Sequence, residues 1–311
     1  MKILLLVVPA VLASVIAFAG SPADDMKPAS PTATVTTPPD ADYARSIDTW
    51  HAEREARLRK PDGWLSYIGS GRVDVGSSEV GHADDNDIVL SKGPDKLGTL
   101  VLSDKGALSF TLAEDNGATI DGSDATSATL KTNIDGDPTR IRSGTTSFYV
   151  VKSGYVVGWR QKDTAAESLH RFAGIDRYPV DPSWRIVADW VAFVPPKKID
   201  LVTVINTLEP AEVPGKAVFQ RDGKTFELQP VAEDDQLFFI LTDATSGKET
   251  YAAARFLYTD APKDGKVIID FNKAVNPPCA LSEHVVCPTA PKENRLALPI
   301  EAGEKKFAHG H

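Results

Sequence analysis

The stretch that decides the fold is "KAVFQRDGKTFELQPV", residues 216–231. An Asp-Gly pair, Asp222 and Gly223, lies between two arms rich in β-branched and aromatic residues. Asp-Gly readily adopts the positive φ angles of a two-residue hairpin turn, and this is the strongest short-range signal for a β-hairpin. The sequence therefore predicts two antiparallel strands that meet at this turn.

Similar patterns lie on both sides of this hairpin. "TTSFYVVKSGYVVGWRQKD", residues 145–163, predicts a turn at Ser153 and Gly154, and "LFFILTDATSGKETYAAARFLYT", residues 237–259, predicts one near Ser246 and Gly247. After Gly63 the chain consists of short β runs broken by Gly, Asp and Asn, without alternating long helices. We expect an all-β fold, mainly an antiparallel sandwich or bent barrel. The turn-rich residues 165–183 could form a seam between two halves.

One helix precedes the β runs. In "DYARSIDTWHAEREARLRKPDG", residues 42–63, the side chains of Ile47, Trp50, Arg54 and Leu58 recur at three- and four-residue steps. Pro61 ends the pattern. The sequence predicts an N-terminal amphipathic helix that lies across the outside of a sheet.

The first residues predict export. Residues 1–19, "MKILLLVVPAVLASVIAFA", have a short basic start, an apolar run and a small-x-small cleavage site, so we expect a signal peptide cut after Ala19. A membrane anchor is the alternative, which Pro9 and the shortness of the run disfavour. Residues 20–40 are rich in Pro, Thr and Ala and predict a disordered spacer before a β domain at 41–311. The expected location is periplasmic or secreted, with no membrane span after cleavage.

The charge and the motifs exclude several classes of protein. The chain has 43 Asp and Glu against 34 Lys and Arg, for a net charge of −9. An acidic surface repels phosphate backbones, so we expect no nucleic-acid partner. The sequence contains no Gly-rich phosphate loop, no G-x-S-x-G and no H-E-x-x-H, so no cofactor is predicted and catalysis stays open.

The densest polar segment is "DFNKAVNPPCALSEHVVCP", residues 270–288, which holds both cysteines. In an oxidising compartment Cys279 and Cys287 most simply form a disulfide. Free thiols are one alternative. A metal site that adds His284 is another, but no fourth ligand is evident nearby, so no metal is predicted.

With these motifs the chain resembles the DUF1684 proteins, a bacterial and archaeal family of unknown function, over most of residues 45–306. The resemblance is strongest in "PDGWL", "FAGIDRYPVDPSWRI", "DATSGKETYAAARFL" and the segment from Asp270 to Lys305. Val275, where an aromatic is expected, and His284 depart from the family pattern. The resemblance implies an all-β domain and supplies no activity.

The candidate ligand-binding residues are polar side chains that a folded-back C-terminal loop would bring together. Tyr251 and Arg255 would share a strand face, and the short link from Tyr258 to Val267 predicts that the strands around it pair as neighbours. The full set is Asp243, Tyr251, Arg255, Asp270, Asn272, Asn276, Asn294 and Glu304.

Three functions compete for this set. The first is binding of a small polar or anionic ligand. The second is a structural envelope module in which the residues form a buried polar network. The third is a hydrolase with Asp270 or Glu304 as general base.

Overall fold

The computed structural model describes residues 41–308, so the predicted signal peptide (1–19), the predicted spacer (20–40) and residues 309–311 lie outside the described part. Helix α1, Ala41–Leu58, opens it and buries Ile47, His51 and Leu58. It ends three residues before Pro61, as the sequence predicts. No helix of residues 41–308 has the length and apolar composition needed to cross a bilayer.

The first half of the described chain is a sandwich of two five-stranded sheets, with strand orders β1-β10-β9-β8-β6 and β3-β2-β4-β5-β7. Every neighbouring pair is antiparallel except β2 and β3. A core cluster that includes Leu100, Phe110, Phe148 and Trp159 fills the space between the sheets. The strands are β1 Tyr67–Arg72, β2 Gly76–Gly81, β3 Ile88–Val89, β4 Gly98–Leu102, β5 Leu108–Leu112, β6 Thr119–Ile120, β7 Ser127–Thr129, β8 Ile141–Ser143, β9 Thr146–Ser153 and β10 Val156–Asp163.

The second half has a four-stranded sheet of order β13-β12-β11-β17 and a three-stranded sheet of order β14-β15-β16. Its strands are β11 Arg185–Val202, β12 Leu208–Arg221, β13 Lys224–Leu228, β14 Val231–Glu233, β15 Gln236–Leu241, β16 Arg255–Asp260 and β17 Lys266–Asp270. The remaining helices are α2 Glu167–Arg171, α3 Pro278–Leu281 and the 3₁₀ turns Trp64–Ser66, Asn133–Asp135, Pro182–Trp184, Phe271–Lys273 and Lys292–Asn294. The expectation of an all-β fold with one N-terminal helix is confirmed.

The Asp-Gly hairpin forms as predicted. Arg221 pairs with Lys224 across the turn, and Asp222 and Gly223 have φ angles of 52° and 73°. Two positive φ angles are what a type I′ turn requires. The hairpin at Ser153 also forms, as strands β9 and β10.

Two local predictions are wrong. Strands β15 and β16 pair, but residues 242–254 join them as a loop, so Tyr251 is outside the strand and does not share its face with Arg255. Strand β17 pairs with β11 and not with β16. The other edge of β16 is taken by a bridge from Phe256 to Val275, because the C-terminal loop folds back there.

The sheet β14-β15-β16 is buried on both faces. Leu237, Phe239 and Leu241 face one core cluster, while Phe238 and Ile240 face another. Irregular C-terminal chain contributes to both clusters. Because that chain lacks strand partners for much of its length, its buried polar groups need hydrogen bonds from side chains.

Candidate functional site

The structure distributes the predicted site residues over several buried hydrogen-bond clusters. In the first, Arg255 is 0% exposed and its Nη2 donates to Oδ2 of Asp243 at 2.5 Å. Arg255 also donates to the main-chain oxygens of Ala302 (2.5 Å) and Ile300 (2.9 Å). The other oxygen of Asp243 accepts from the main chain and hydroxyl of Thr245. This cluster attaches the C-terminal chain to the loop between β15 and β16.

The second cluster attaches helix α1 to the end of β17. Tyr43 donates to Asp270 at 2.9 Å and accepts from Nδ2 of Asn272 at 3.0 Å. Asn272 also exchanges hydrogen bonds with the main chain of Asp181, at 3.0 and 2.9 Å. Burial, together with the Asp270 carboxylate, raises the pKa of Tyr43 well above its ordinary value, so the hydroxyl stays a donor.

The third cluster is centred on Glu304, which is 1% exposed. Arg54 of α1 donates to both of its oxygens, at 2.5 and 3.2 Å. Asn276 donates to Oε2 from its main chain (2.6 Å) and its side chain (3.1 Å). Among residues 41–308, no hydrogen bond joins this cluster to Arg255 or to Asp270.

His51 lies beside this cluster and was not predicted. It is 6% exposed, and burial lowers the pKa of its imidazole, which favours the neutral form, while the charge of Glu304 acts in the opposite direction. Its position at a helical step from Ile47 and Leu58 is compatible with a core role, and no local pattern in the sequence indicates the carboxylate of Glu304 beside it.

Asn294 replaces missing strand pairing. It accepts from the main-chain nitrogen of Gln229 at 2.8 Å and donates to the main-chain oxygens of Gln229 and Ile240 at 2.9 and 3.0 Å. The side chain therefore joins Gln229, in the link between β13 and β14, to Ile240 of β15.

Both cysteines are buried free thiols in this structure, so the predicted disulfide is not formed here. They are nevertheless neighbours, since the main-chain nitrogen of Cys279 lies 3.2 Å from the sulfur of Cys287. A hydrogen bond with Cys287 lowers the pKa of the Cys279 thiol, and the same contact and burial raise the pKa of Cys287. The Tyr251 hydroxyl forms a hydrogen bond with Cys279, whereas the side-chain hydrogen bonds of Arg255 go to Asp243, Ile300 and Ala302.

His284 does not join the cysteines in a metal site. Its Nδ1 lies 3.0 Å from the hydroxyl of Ser70 on β1. Within residues 41–308 no group of three or more His, Cys, Asp or Glu side chains has an arrangement that could hold a metal ion.

One predicted residue, Asp270, also lines an open cleft of about 730 Å³, which we call the α1–β17 cleft. Trp50 and Tyr258 give it aromatic surface. Five cationic side chains line it against the two carboxylates Asp260 and Asp270; the cations are Arg57, Arg185, Lys263, Lys266 and Lys273.

The cations of the α1–β17 cleft are mostly uncompensated. Lys266 forms an ion pair with Asp189. Arg57, Arg185, Lys263 and Lys273 take part in none of the ion pairs of residues 41–308.

The cleft contains residues that sequence reasoning missed. Arg185 faces Asp270 because the two are register partners on β11 and β17. Lys273 lies over the ring of Trp50, with 6.0 Å between Nζ and the ring centroid. The pairing of β11 with β17 places these residues together, and no local pattern indicates that pairing.

Comparison with known families supports the resemblance for the second half of the chain. The model of the family "Protein of unknown function (DUF1684)" matches residues 170–305, a range that begins inside the predicted seam. Comparison with curated proteins gives no match. Among solved structures, an uncharacterized protein of Haloarcula marismortui, determined by solution NMR, is similar at 27% identity. The similarity covers 46% of this chain and 82% of that one, with a TM-score of 0.39.

Proposed function

We propose that this β domain binds a small anionic ligand in the α1–β17 cleft. The observation that carries the proposal is the concentration of cations there, four of them without a carboxylate partner, in a chain whose net charge is −9. Cations that converge on a concave surface raise the local concentration of anions and can bind them through charge-assisted hydrogen bonds. Trp50 and Tyr258 would contact the less polar part of the ligand.

Asp270 has a supporting role in this proposal. Its carboxylate accepts from Tyr43 and from Asn272, which leaves it less available to repel an anion. Arg185, opposite Asp270 in the register, and Lys273, which follows Asn272 on the 3₁₀ turn, are positioned by the same strand end. The predicted residue therefore helps to hold the cationic ones in place.

A structural role is the second candidate for the remaining predicted residues. Both oxygens of Glu304 accept hydrogen bonds from Arg54, and both oxygens of Asp243 are occupied. Buried clusters whose carboxylate oxygens all accept hydrogen bonds stabilise irregular chain. They give no support to Glu304 as a general base, since no lone pair is directed to an open cleft.

The test uses the mature protein, residues 20–311, with inorganic phosphate, citrate and adenosine monophosphate as probes and adenosine as the neutral analogue. Melting shifts and calorimetric titration are measured for the wild type, Arg185→Gln and Lys273→Gln. The matched control is Lys224→Gln, an exposed cation at the tip of the β12–β13 hairpin and outside the cleft.

We expect at least one anionic probe to bind, with the affinity reduced about tenfold in each cleft variant because a charge-assisted hydrogen bond is lost. Binding should weaken as salt is added. The control should bind as the wild type does. Failure of all anionic probes to bind, or equal affinity in the cleft variants and the control, would remove the basis of the proposal.

We also propose export followed by oxidation of the cysteine pair. Residues 1–19 support export through their signal-peptide pattern, and the contact between Cys279 and Cys287 supports closure of the bond in an oxidising compartment. Expression of the full chain in a bacterium, followed by fractionation and N-terminal sequencing, should give periplasmic or secreted protein that begins at Gly20. Non-reducing peptide mapping of that protein should recover the linked pair, whereas two free thiols would contradict the second part.

A further inference from the structure

The outer face of the sheet β1-β10-β9-β8-β6 carries a second group of cations, which we call the tyrosine–cation cluster. It consists of Tyr67, Tyr149, Arg140, Arg160 and Lys162. The hydroxyl oxygens of the two tyrosines are 2.7 Å apart. Arg160 is the cross-strand partner of Tyr149, and Lys162 is the cross-strand partner of Tyr67, so these side chains lie on one face of the sheet.

Each cation of the cluster contacts an uncharged group, either a tyrosine ring or a main-chain oxygen. Lys162 Nζ lies 4.4 Å from the ring centroid of Tyr67, and the guanidinium carbon of Arg140 lies 4.5 Å from that of Tyr149. Lys162 donates to the main-chain oxygen of Asp62, and Arg160 donates to that of Trp159. None of the three cations belongs to an ion pair within residues 41–308.

The cations are also partly removed from water. Burial lowers the pKa of Lys162 to about 8, with the charge of Arg140 as the next cause, and burial also lowers the pKa of Arg160. Partly dehydrated cations that face one another without an ion-pair partner are costly, and the charge of Asp62 offsets only part of this cost at Lys162. A bound anion would reverse that cost, because it would supply the missing charge and accept from the guanidinium and hydroxyl groups.

An apolar cleft of about 400 Å³ adjoins the cluster. Leu65, Phe172, Leu281 and Phe307 line it, and Tyr67 belongs to both the cleft and the cluster. His284 is a second connection between the cleft and the cluster.

The connection through His284 passes over β1. His284 lines the cleft, and its Nδ1 lies 3.0 Å from the hydroxyl of Ser70, the cross-strand partner of Arg160. In the cleft itself Arg171 pairs with Glu167, and the carboxylate of Glu283 lies 3.9 Å from His284, so the cleft carries no excess of cations. The net positive charge is therefore concentrated at the cluster.

We propose that the tyrosine–cation cluster and this cleft form a second binding site, for an organic anion whose charged head contacts Arg160, Lys162 and Arg140 and whose apolar body lies against Tyr67 and Phe172. This site is distinct from the α1–β17 cleft and does not depend on it. It takes an amphipathic ligand because charge and apolar surface adjoin at Tyr67.

The test uses three probes on the mature protein: phenyl phosphate, inorganic phosphate and benzyl alcohol. The background is the double variant Arg185→Gln/Lys273→Gln, which removes two cations of the α1–β17 cleft, so that binding there is not mistaken for binding here. Arg160→Gln and Lys162→Gln remove charge from the cluster. The matched control is Lys131→Gln, an exposed cation of the same sandwich.

We expect phenyl phosphate to bind more tightly than inorganic phosphate and benzyl alcohol not to bind. Each cluster variant should weaken phenyl phosphate about tenfold, and Lys131→Gln should not. Phe172→Ala should weaken phenyl phosphate and leave inorganic phosphate unchanged. If Arg160→Gln does not fold, Arg160→Lys and Tyr67→Phe take its place, because both keep the size of the side chain while changing its hydrogen bonds.

Proton uptake supplies a readout that a structural role would not produce. The groups facing Lys162 are Tyr67, Tyr149, Arg140, Arg160 and the Asp62 segment. An anion placed among them would raise the pKa of Lys162, so binding near pH 8 should take up a proton, measured by titration in two buffers of different ionisation enthalpy. The proposal is overturned if phenyl phosphate fails to bind at millimolar concentration, if benzyl alcohol binds equally well, or if the cluster variants bind as the control does.

Discussion

The buried pair of Arg255 and Asp243 permits the sharpest test of what the C-terminal network contributes to stability. Both side chains are 0% exposed. Arg255→Met keeps most of the side-chain volume and removes the charge. It leaves Oδ2 of Asp243 without its donor and leaves the main-chain oxygens of Ile300 and Ala302 unpaired.

The expected loss follows from these contacts. Removing one partner of a buried ion pair costs about 3–5 kcal/mol, because the remaining charge is buried without compensation. Each carbonyl left without a donor adds about 1 kcal/mol, although these costs overlap. We therefore expect Arg255→Met to lower the free energy of unfolding by about 4–6 kcal/mol, a large part of the stability of an ordinary domain.

A double-mutant cycle separates the pair from the general effect of a core substitution. In Arg255→Met combined with Asp243→Asn no buried charge is left, so the double variant should be more stable than the sum of the single losses predicts, by about 2 kcal/mol or more. The control is Lys216→Met, from the partly exposed pair with Glu227, which should cost about 1 kcal/mol or less.

Urea unfolding measures these differences through tryptophan fluorescence, since Trp184 belongs to the same core cluster as Leu298 and Ile300. The midpoint and the slope of each curve give the free energy. A loss below about 1 kcal/mol for Arg255→Met would refute the reasoning. Additive losses in the cycle would also refute it, because they would mean that the two side chains do not stabilise each other.

Three other predictions concern separate parts of the structure. Glu304→Gln should lower the free energy of unfolding by about 2–4 kcal/mol in the same urea assay, because Arg54 loses its carboxylate partner. An equal loss of stability in the exposed control Glu227→Gln would contradict this. Oxidation of Cys279 and Cys287 should raise stability by about 2.5 kcal/mol, because it closes a short loop of the unfolded chain, and addition of a reductant should reverse the gain. Between pH 8 and 10.5 Lys162 binds fewer protons in the folded than in the unfolded chain, so the free energy of unfolding should rise with pH through that window and fall as the pH drops through 8. The rise should be smaller in Lys162→Met. Identical pH profiles of the wild type and this variant would exclude the effect.

The local features of the fold could be predicted because they depend on short segments. Asp222 and Gly223 specify their turn whatever surrounds them, and the spacing of Ile47 and Leu58 specifies a buried helix face. The pairing of β17 could not be predicted in this way. The link after Tyr258 is short enough for a hairpin, but Val275 already forms a bridge to the free edge of β16. Strand β17 pairs instead with the free edge of β11.

The sequence indicated which polar residues the folded-back C-terminal chain would bury, but not how they are arranged. The polar residues from Asp243 to Glu304 are buried together with the C-terminal chain, as a folded-back loop implies, but they form separate clusters around Arg54, Tyr43 and Arg255. Two of these clusters depend on partners from α1, more than 200 positions away in the sequence. A pattern within one segment contains no information about such partners.

The two proposed sites differ in how much of their chemistry lies within residues 170–305, the range that the family model matches. Apart from Trp50 and Arg57 of α1, the α1–β17 cleft is lined by residues between 185 and 275, all within the matched range. The charged residues of the tyrosine–cation cluster precede residue 170. The matched range contributes to the apolar cleft of the second site, where it supplies Phe172, Leu281 and His284. A protein that shares only the matched range would therefore keep most of the first site and lose the cations of the second, so binding of phenyl phosphate by such a protein would have to occur at the first site.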